Sequence, residues 1–353
     1  MTYSFLSIGF SQSMIFLVIS LAIGRICTSS LFGSSKSIAH ITSNQMILGN
    51  DSTIRCYSLN PKITENSKRN SSKTSKDHLQ INPLFKSLQQ EGWSIGNVTK
   101  IQLPQPVLKD SFNKMEQQKA MEELIKEQYS LEDWLQESVV APFILQIGEI
   151  KSDQNNKTDP YRTVNLFFVV HVPESQERDE KWMQSFFGEN QEEIKSKSFT
   201  AEELTKRKIK IDETNQKNES YGHTQIQLLD KVEVQMSGHS FLSRTAQSIV
   251  VASQTDPRFD QDKEYPNQWC PLEKLETGFK RGSNHAYTGG AFYLKATRLA
   301  LASDAWMIEA HLVYAEPIGW FEGANLLRSK LPPIAQKMVR SLRREIHKKK
   351  SPR

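Results

Sequence analysis

The chain has 353 residues, 37% of them hydrophobic and 24% charged, with 45 Lys and Arg against 40 Asp and Glu. This length suits one large domain or two small ones with ample apolar material for a core, which excludes a wholly disordered chain and a multi-span membrane protein. Neither Gly (16) nor Pro (14) is enriched, which excludes collagen-like and Gly/Pro low-complexity architectures.

The formal charge of +5 is unevenly placed. Arg328 to Arg353 holds ten basic residues and one acid, Glu345, and so carries +9, leaving the other 327 residues at −4. The basic character belongs to the C-terminus.

Residues 1–39 read as a targeting segment. Met14 to Gly24 is an 11-residue apolar run, as long as a signal-peptide core and shorter than the ~20 residues a spanning helix needs. Export is the first expectation, although no Lys or Arg precedes the run while Arg25 and Lys36 follow it. An uncleaved anchor through residues 5–24 is the alternative. Removing this leader would leave Cys56 and Cys270, an even pair for an oxidising compartment or two free thiols. Residues 40–82 read as a polar linker, because Asn60 to Asn82 is rich in Ser, Lys and Asn and nearly free of large apolar side chains. A single domain is expected over 83–349, with 350–353 as the end of a basic tail.

In chain order, strong helix formers fill Ser111–Gln128. Ser130 followed by Asp133, with Tyr129 and Trp134 as a staple, predicts a helix start at Leu131, and Phe199-Thr200-x-x-Glu203-Leu204 predicts another at Ala201. A short helix is also expected at about 178–189. Period-two alternation predicts strands over Phe143–Ile150, Tyr161–Val172 and Thr224–Met236, then a break at Ser237-Gly238-His239 before a strand to about Ala252. Ala291–Leu301 and Ala305–Ala315 have the pattern of a hairpin, with Trp306, Ile308, Ala310, Leu312 and Tyr314 inward. Pro332-Pro333 suits the first turn of a last helix, whose apolar stripe is Ile334, Met338, Leu342 and Ile346 and whose remaining faces are basic. Neighbouring strands with short turns imply an α+β fold: an antiparallel sheet packed against a long C-terminal amphipathic helix, with additional helices N-terminal to the sheet.

This order of elements, from about Tyr161 to Lys349, resembles the helix-grip arrangement of START-type ligand-binding domains, which implies a small apolar ligand between sheet and helix. The stretches YSLEDWLQESVVAPF, PNQWCPL and EPIGWFEGANLLRSKLP resemble an uncharacterised bacterial family of planctomycete type, a likeness that implies no activity and no site residues.

Chemical motifs are sparse. The sequence has no Cys-x-x-Cys, His-Glu-x-x-His, EF-hand loop or Gly-x-Ser-x-Gly elbow, so no cofactor or metal is expected. Glu309 and His311 lie side by side on one strand face, as two metal ligands, as an acid/base pair, or as part of a solvated outer face, the last being favoured. Asp230 falls on the apolar face of its strand, lining a pocket or turned outward by a bulge at Leu229-Asp230, the bulge being favoured. Trp320 either gates a cavity or packs beneath the start of the last helix. The basic tail points to a solvated helix face first and a membrane surface second. Nucleic acid is not expected, because no aromatic residue follows Phe321. A binding or interaction module is the leading functional reading, ahead of a hydrolase built on Glu309, His311 and Asp230. A structural envelope role is also compatible with the sequence.

Overall fold

The computed structural model describes residues 41–42, 53–55, 77–95, 99–126, 128–150, 160–173, 194–211, 218–321 and 326–350. The leader, residues 60–76 of the linker, Cys56 and the helix expected at about 178–189 lie outside these. Among the described residues no helix is long and apolar enough to cross a membrane.

The strands are Ile41–Thr42 (β1), Thr53–Arg55 (β2), Trp93–Ile95 (β3), Thr99–Gln102 (β4), Phe143–Ile150 (β5), Tyr161–His171 (β6), Ile194–Ser198 (β7), Glu219–Leu228 (β8), Val232–Arg244 (β9), Ser248–Thr255 (β10), Gln268–Leu275 (β11), Gly278–Arg281 (β12), His285–Ala286 (β13), Gly290–Arg298 (β14) and Ala305–Ala315 (β15). The helices are His78–Ile81 (α1), Pro83–Gln90 (α2), Lys114–Ile125 (α3), Leu131–Leu135 (α4), Ala201–Lys206 (α5) and Leu326–Lys350 (α6). The main sheet runs β1-β5-β6-β15-β14-β10-β9, continues from β9 to β8 and β7, and carries β11, with β12 and β13, paired to the start of β9. Apart from the two-residue β1, its pairings are antiparallel. The expected fold class is the observed one.

Strand alternation divides this sheet into two faces. The first carries Leu145, Leu166, Phe168, Ile308, Leu312 and Leu294, and α6 packs over β5 and β6 with Ala335, Met338, Val339, Leu342 and Ile346 buried. The second is covered by α1, α2, α3 and the segment between β4 and α3, so the sheet is sandwiched between two layers. The covering layer starts earlier than composition implies: His78 and Asn82, assigned to the linker, are buried.

Helix starts follow their caps. Thr200 and Glu203 form a full capping box. Ser130 accepts from Asp133 N, with Tyr129 stacked on Trp134 at 6.4 Å. Asn113 and Glu116 form a further box that opens α3. Pro332 and Pro333 are not at the start of α6 but lie inside it, since the helix begins at Leu326.

Two strand expectations need correcting. Leu229 and Asp230 have φ of +52° and +56°, and Lys231 N donates to Leu228 O at 3.0 Å. Thr224–Met236 therefore comprises parts of two strands joined by the three-residue loop Leu229-Asp230-Lys231, not one strand with a bulge. Leu229 and Asp230 both occupy the left-handed region, which Asn-Gly adopts at lower cost than Leu-Asp. Leu229→Asn with Asp230→Gly should therefore raise stability by about 1 kcal/mol, read as a higher urea midpoint at unchanged slope; a lower midpoint would refute the turn assignment. The second correction concerns Ser237-Gly238-His239, which lies within β9. There β9 changes neighbour from β11 (Val232–Gln235) to β10 (Gly238–Arg244), and Ser237 fills the gap by donating N–H to Asn267 Oδ1 and accepting from Asp256 N.

Candidate functional site

On the sheet's first face, at the end away from α6's C-terminus, the connection from β15 to α6 and the loop before β14 bring aromatic rings together. Trp269 of β11 pairs in register with Val234 and therefore faces this side. Trp320 lies 6.3 Å from Trp269, 5.3 Å from Tyr287 and 5.9 Å from Phe321, ring centroid to centroid. Trp269 also stacks on His285 at 4.6 Å. Tyr287 donates its hydroxyl to Ala315 O and so anchors the loop on the end of β15. Gly289 permits that path: at φ +87°, a Cβ there would come within 2.0 Å of Thr255 Oγ1.

Two donors at this end lack acceptors. Trp320 is 2% exposed and Tyr314 0%, yet neither the indole N–H nor the phenol O–H has a hydrogen-bond partner among the described residues. Burial, and after it the nearby Glu316, raises the Tyr314 pKa, so its proton is retained. Tyr314 pairs in register with Arg162, whose guanidinium binds Glu316 and Glu149. Trp320 is thus packed as a structural anchor would be, but with its polar atom unspent.

The second face holds a buried polar chain. Asn82 caps α2 by accepting from Phe85 N and donates Nδ2–H to Ser243 Oγ at 3.0 Å. His78 Nδ1 lies 2.7 Å from Ser243 Oγ, and its Nε2 lies 2.7 Å from Ser248 Oγ. Ser248 in turn donates to Asp110 Oδ1 at 2.6 Å, and Lys295 Nζ meets the same oxygen at 2.7 Å while also donating to Leu108 O. Ser248 gives its one proton to Asp110 and so accepts from His78 Nε2–H; in the neutral ring Nδ1 then accepts from Ser243 O–H. Consistently, burial lowers its pKa to about 4 against an opposing pull from Asp110. Burial raises the Asp110 pKa, but Lys295 and the two hydroxyls bring it below the usual carboxylate value.

Glu309 and His311 continue this layer. They are side by side as their spacing requires, with Glu309 Oε2 3.7 Å from His311 Nε2, but they are buried, not solvated. Glu309 accepts from Val107 N at 2.7 Å and from Leu108 N at 3.4 Å, tying the segment before α3 to β15. His311 contacts Asn165 Oδ1 through Nδ1 at 2.8 Å and sits between Tyr293 and Phe167. Asp230 does not join them. It occupies the exposed β8–β9 turn, 3.6 Å from Lys274, so the expected three-residue hydrolytic site is not assembled. Cys270 is a buried free thiol, and its suggested partner Cys56 is outside the described residues.

Two further polar groups were not foreseen. Glu137, His171 and Asp304 place ligand-type atoms within 4.8 Å of one another. Both His171 ring nitrogens are already engaged, by Asp304 and by Leu135 O, which makes the group a brace between α4 and the start of β15. Glu219 lies 2.9 Å from His239 Nε2 and accepts from Tyr221 O–H, whose ring stacks on His239.

No protein-family model matches the chain, and no curated protein matches it. Among solved structures the chain is similar to the human StarD13 (DLC2) lipid transfer and protein localization domain. The match has 6% identity, covers 57% of this chain and 84% of that one, and has a TM-score of 0.33.

Proposed function

We propose that the protein is a ligand-binding module that holds a molecule with an apolar body and one acceptor group at the aromatic end of the sheet's first face. The observation that carries this reading is the pair of buried donors, Trp320 N–H and Tyr314 O–H, without acceptors among the described residues. A buried donor left unpaired costs about 1–3 kcal/mol, a cost that a carboxylate or carbonyl of a ligand would offset. The neighbouring Trp269, Tyr287 and Phe321 supply an apolar wall for the rest of the molecule.

The test is a titration of intrinsic tryptophan fluorescence with a long-chain fatty acid, oleate, which combines an apolar body with a carboxylate. Trp320→Phe and Tyr314→Phe should each weaken binding about 5- to 100-fold. Tyr314→Phe removes only the unpaired hydroxyl and should lower the stability of the free protein by no more than about 1 kcal/mol, whereas Trp320→Phe also leaves a cavity and should cost about 1–3 kcal/mol. Loss of stability without loss of affinity would show that both groups are structural and would sink the reading. The Met14–Gly24 run supports export or anchoring of this module, which N-terminal sequencing of the mature protein from fractionated cells would test.

A further inference from the structure

Helix α6 has a second face that the packing does not use. Ala335, Val339 and Arg343 form a row at spacings of four, and Arg343, although basic, points inward. It is 4% exposed and donates to Val169 O, Ala141 O and Pro142 O. Burial lowers its pKa to about 10. The expectation that every basic residue of this helix is solvated is therefore corrected at Arg343.

The other cations do lie outside. Lys337, Arg344 and Lys348 are exposed and Lys330 and Arg340 half-exposed. Their spacings of seven, three, four and four residues place them in one stripe, roughly 27 Å long at 1.5 Å per residue. Among the described residues none of the five is ion-paired with a carboxylate, and Glu345 is the one acid between positions 329 and 348.

An exposed apolar residue lies in the loop that α6 holds. Val140 is 65% exposed, in the loop whose next two carbonyls Arg343 holds. The same loop is tied again by His347, 3.6 Å from Glu137. A polyanion would satisfy the stripe, but only an anionic surface with an apolar layer beneath it would also take up Val140. Nucleic acid would more typically call for stacking aromatics, and the sequence has none after Phe321.

We infer that the outer face of α6 docks on an anionic phospholipid membrane, with Val140 at the headgroup boundary. This surface is independent of the ligand site on the sheet's first face.

The experiment is cosedimentation of the full chain with vesicles of phosphatidylcholine alone and of phosphatidylcholine mixed with phosphatidylserine, beside a duplex DNA of similar charge. The difference between the two vesicle compositions, not binding as such, reads the stripe, since any apolar leader contributes equally to both. The wild type should bind the anionic vesicles at least tenfold more tightly, with the difference lost at high salt, where screening shortens to a few ångströms. Lys337→Glu, Arg344→Glu and Lys348→Glu together should abolish the difference with an unchanged circular dichroism spectrum and unfolding midpoint, and Val140→Asp should reduce it severalfold. Equal binding to both compositions, a triple variant that binds as the wild type does, or tighter binding to DNA than to anionic vesicles would each overturn the inference.

Discussion

Lys295→Met is expected to destabilise the protein by about 3–5 kcal/mol, because it leaves the Asp110 carboxylate buried without its counterion. Lys295 Nζ sits 2.7 Å from Asp110 Oδ1 and is 4% exposed at its side chain, against 15% for Asp110. The charge therefore cannot be re-solvated without lifting the layer between β4 and α3 from β14. Adding Asp110→Asn removes the stranded charge and keeps an acceptor oxygen for the Ser248 hydroxyl, while its NH2 can donate to Thr245 Oγ1. That double variant should recover more than half of the loss, because an absent ion pair costs far less than a broken one. Urea unfolding of the two variants and the wild type gives both numbers. A single-variant loss below about 1 kcal/mol, the range of solvent-screened surface pairs, would mean that water reaches the pair and that the second face is not sealed.

Acid should unfold the protein through its buried neutral histidines. Burial lowers both His78 and His223 to a pKa of about 4, from 6.5 when exposed. A histidine whose folded pKa is depressed adds stability that is complete above pH 6.5 and is lost as the pH falls from 6.5 through 4, since the unfolded chain then binds the proton first. Each such shift corresponds to about 3 kcal/mol. Asp110, also held low, adds its own loss below about pH 4, the ordinary carboxylate range. Urea midpoints should therefore fall steeply between pH 6.5 and 4.5, and His78→Gln should flatten roughly half of that slope. A stability profile level across this window would contradict the buried, neutral assignment of both residues.

The elements that were legible in the sequence are those whose pattern is local. β5, β6, β14 and β15 alternate because the first face meets the apolar side of α6, and Thr200–Glu203 announces α5 by a box four residues long. The turn at Leu229-Asp230 was hidden for a geometric reason. A loop of three residues, Leu229 to Lys231, leaves Leu228 and Val232 paired across it on one face, and because both numbers are even the alternation continues unbroken in the sequence. What alternation cannot show is which layer covers a face. Glu309 and His311 read as solvated because the segment that covers their face, including Val107 and Leu108, lies about 200 positions earlier in the chain. A lone Lys within the apolar run of β14 was the available signal. His78 and Asn82 were masked by the polar composition around them. Trp320 was legible as an aromatic beneath the helix start, but whether its N–H finds an acceptor among the described residues is a property of the assembled fold.

A Trp320 N–H held for a ligand acceptor would be read directly by the indole resonances. In a nitrogen-15 spectrum of the full chain, with the Trp320 signal assigned by its loss in Trp320→Phe, oleate should shift that proton strongly downfield as a new hydrogen bond forms, saturably and ahead of the Trp93 and Trp134 signals. A Trp320 resonance that stays in place while oleate binds, or that moves no more than the other indoles, would contradict that role.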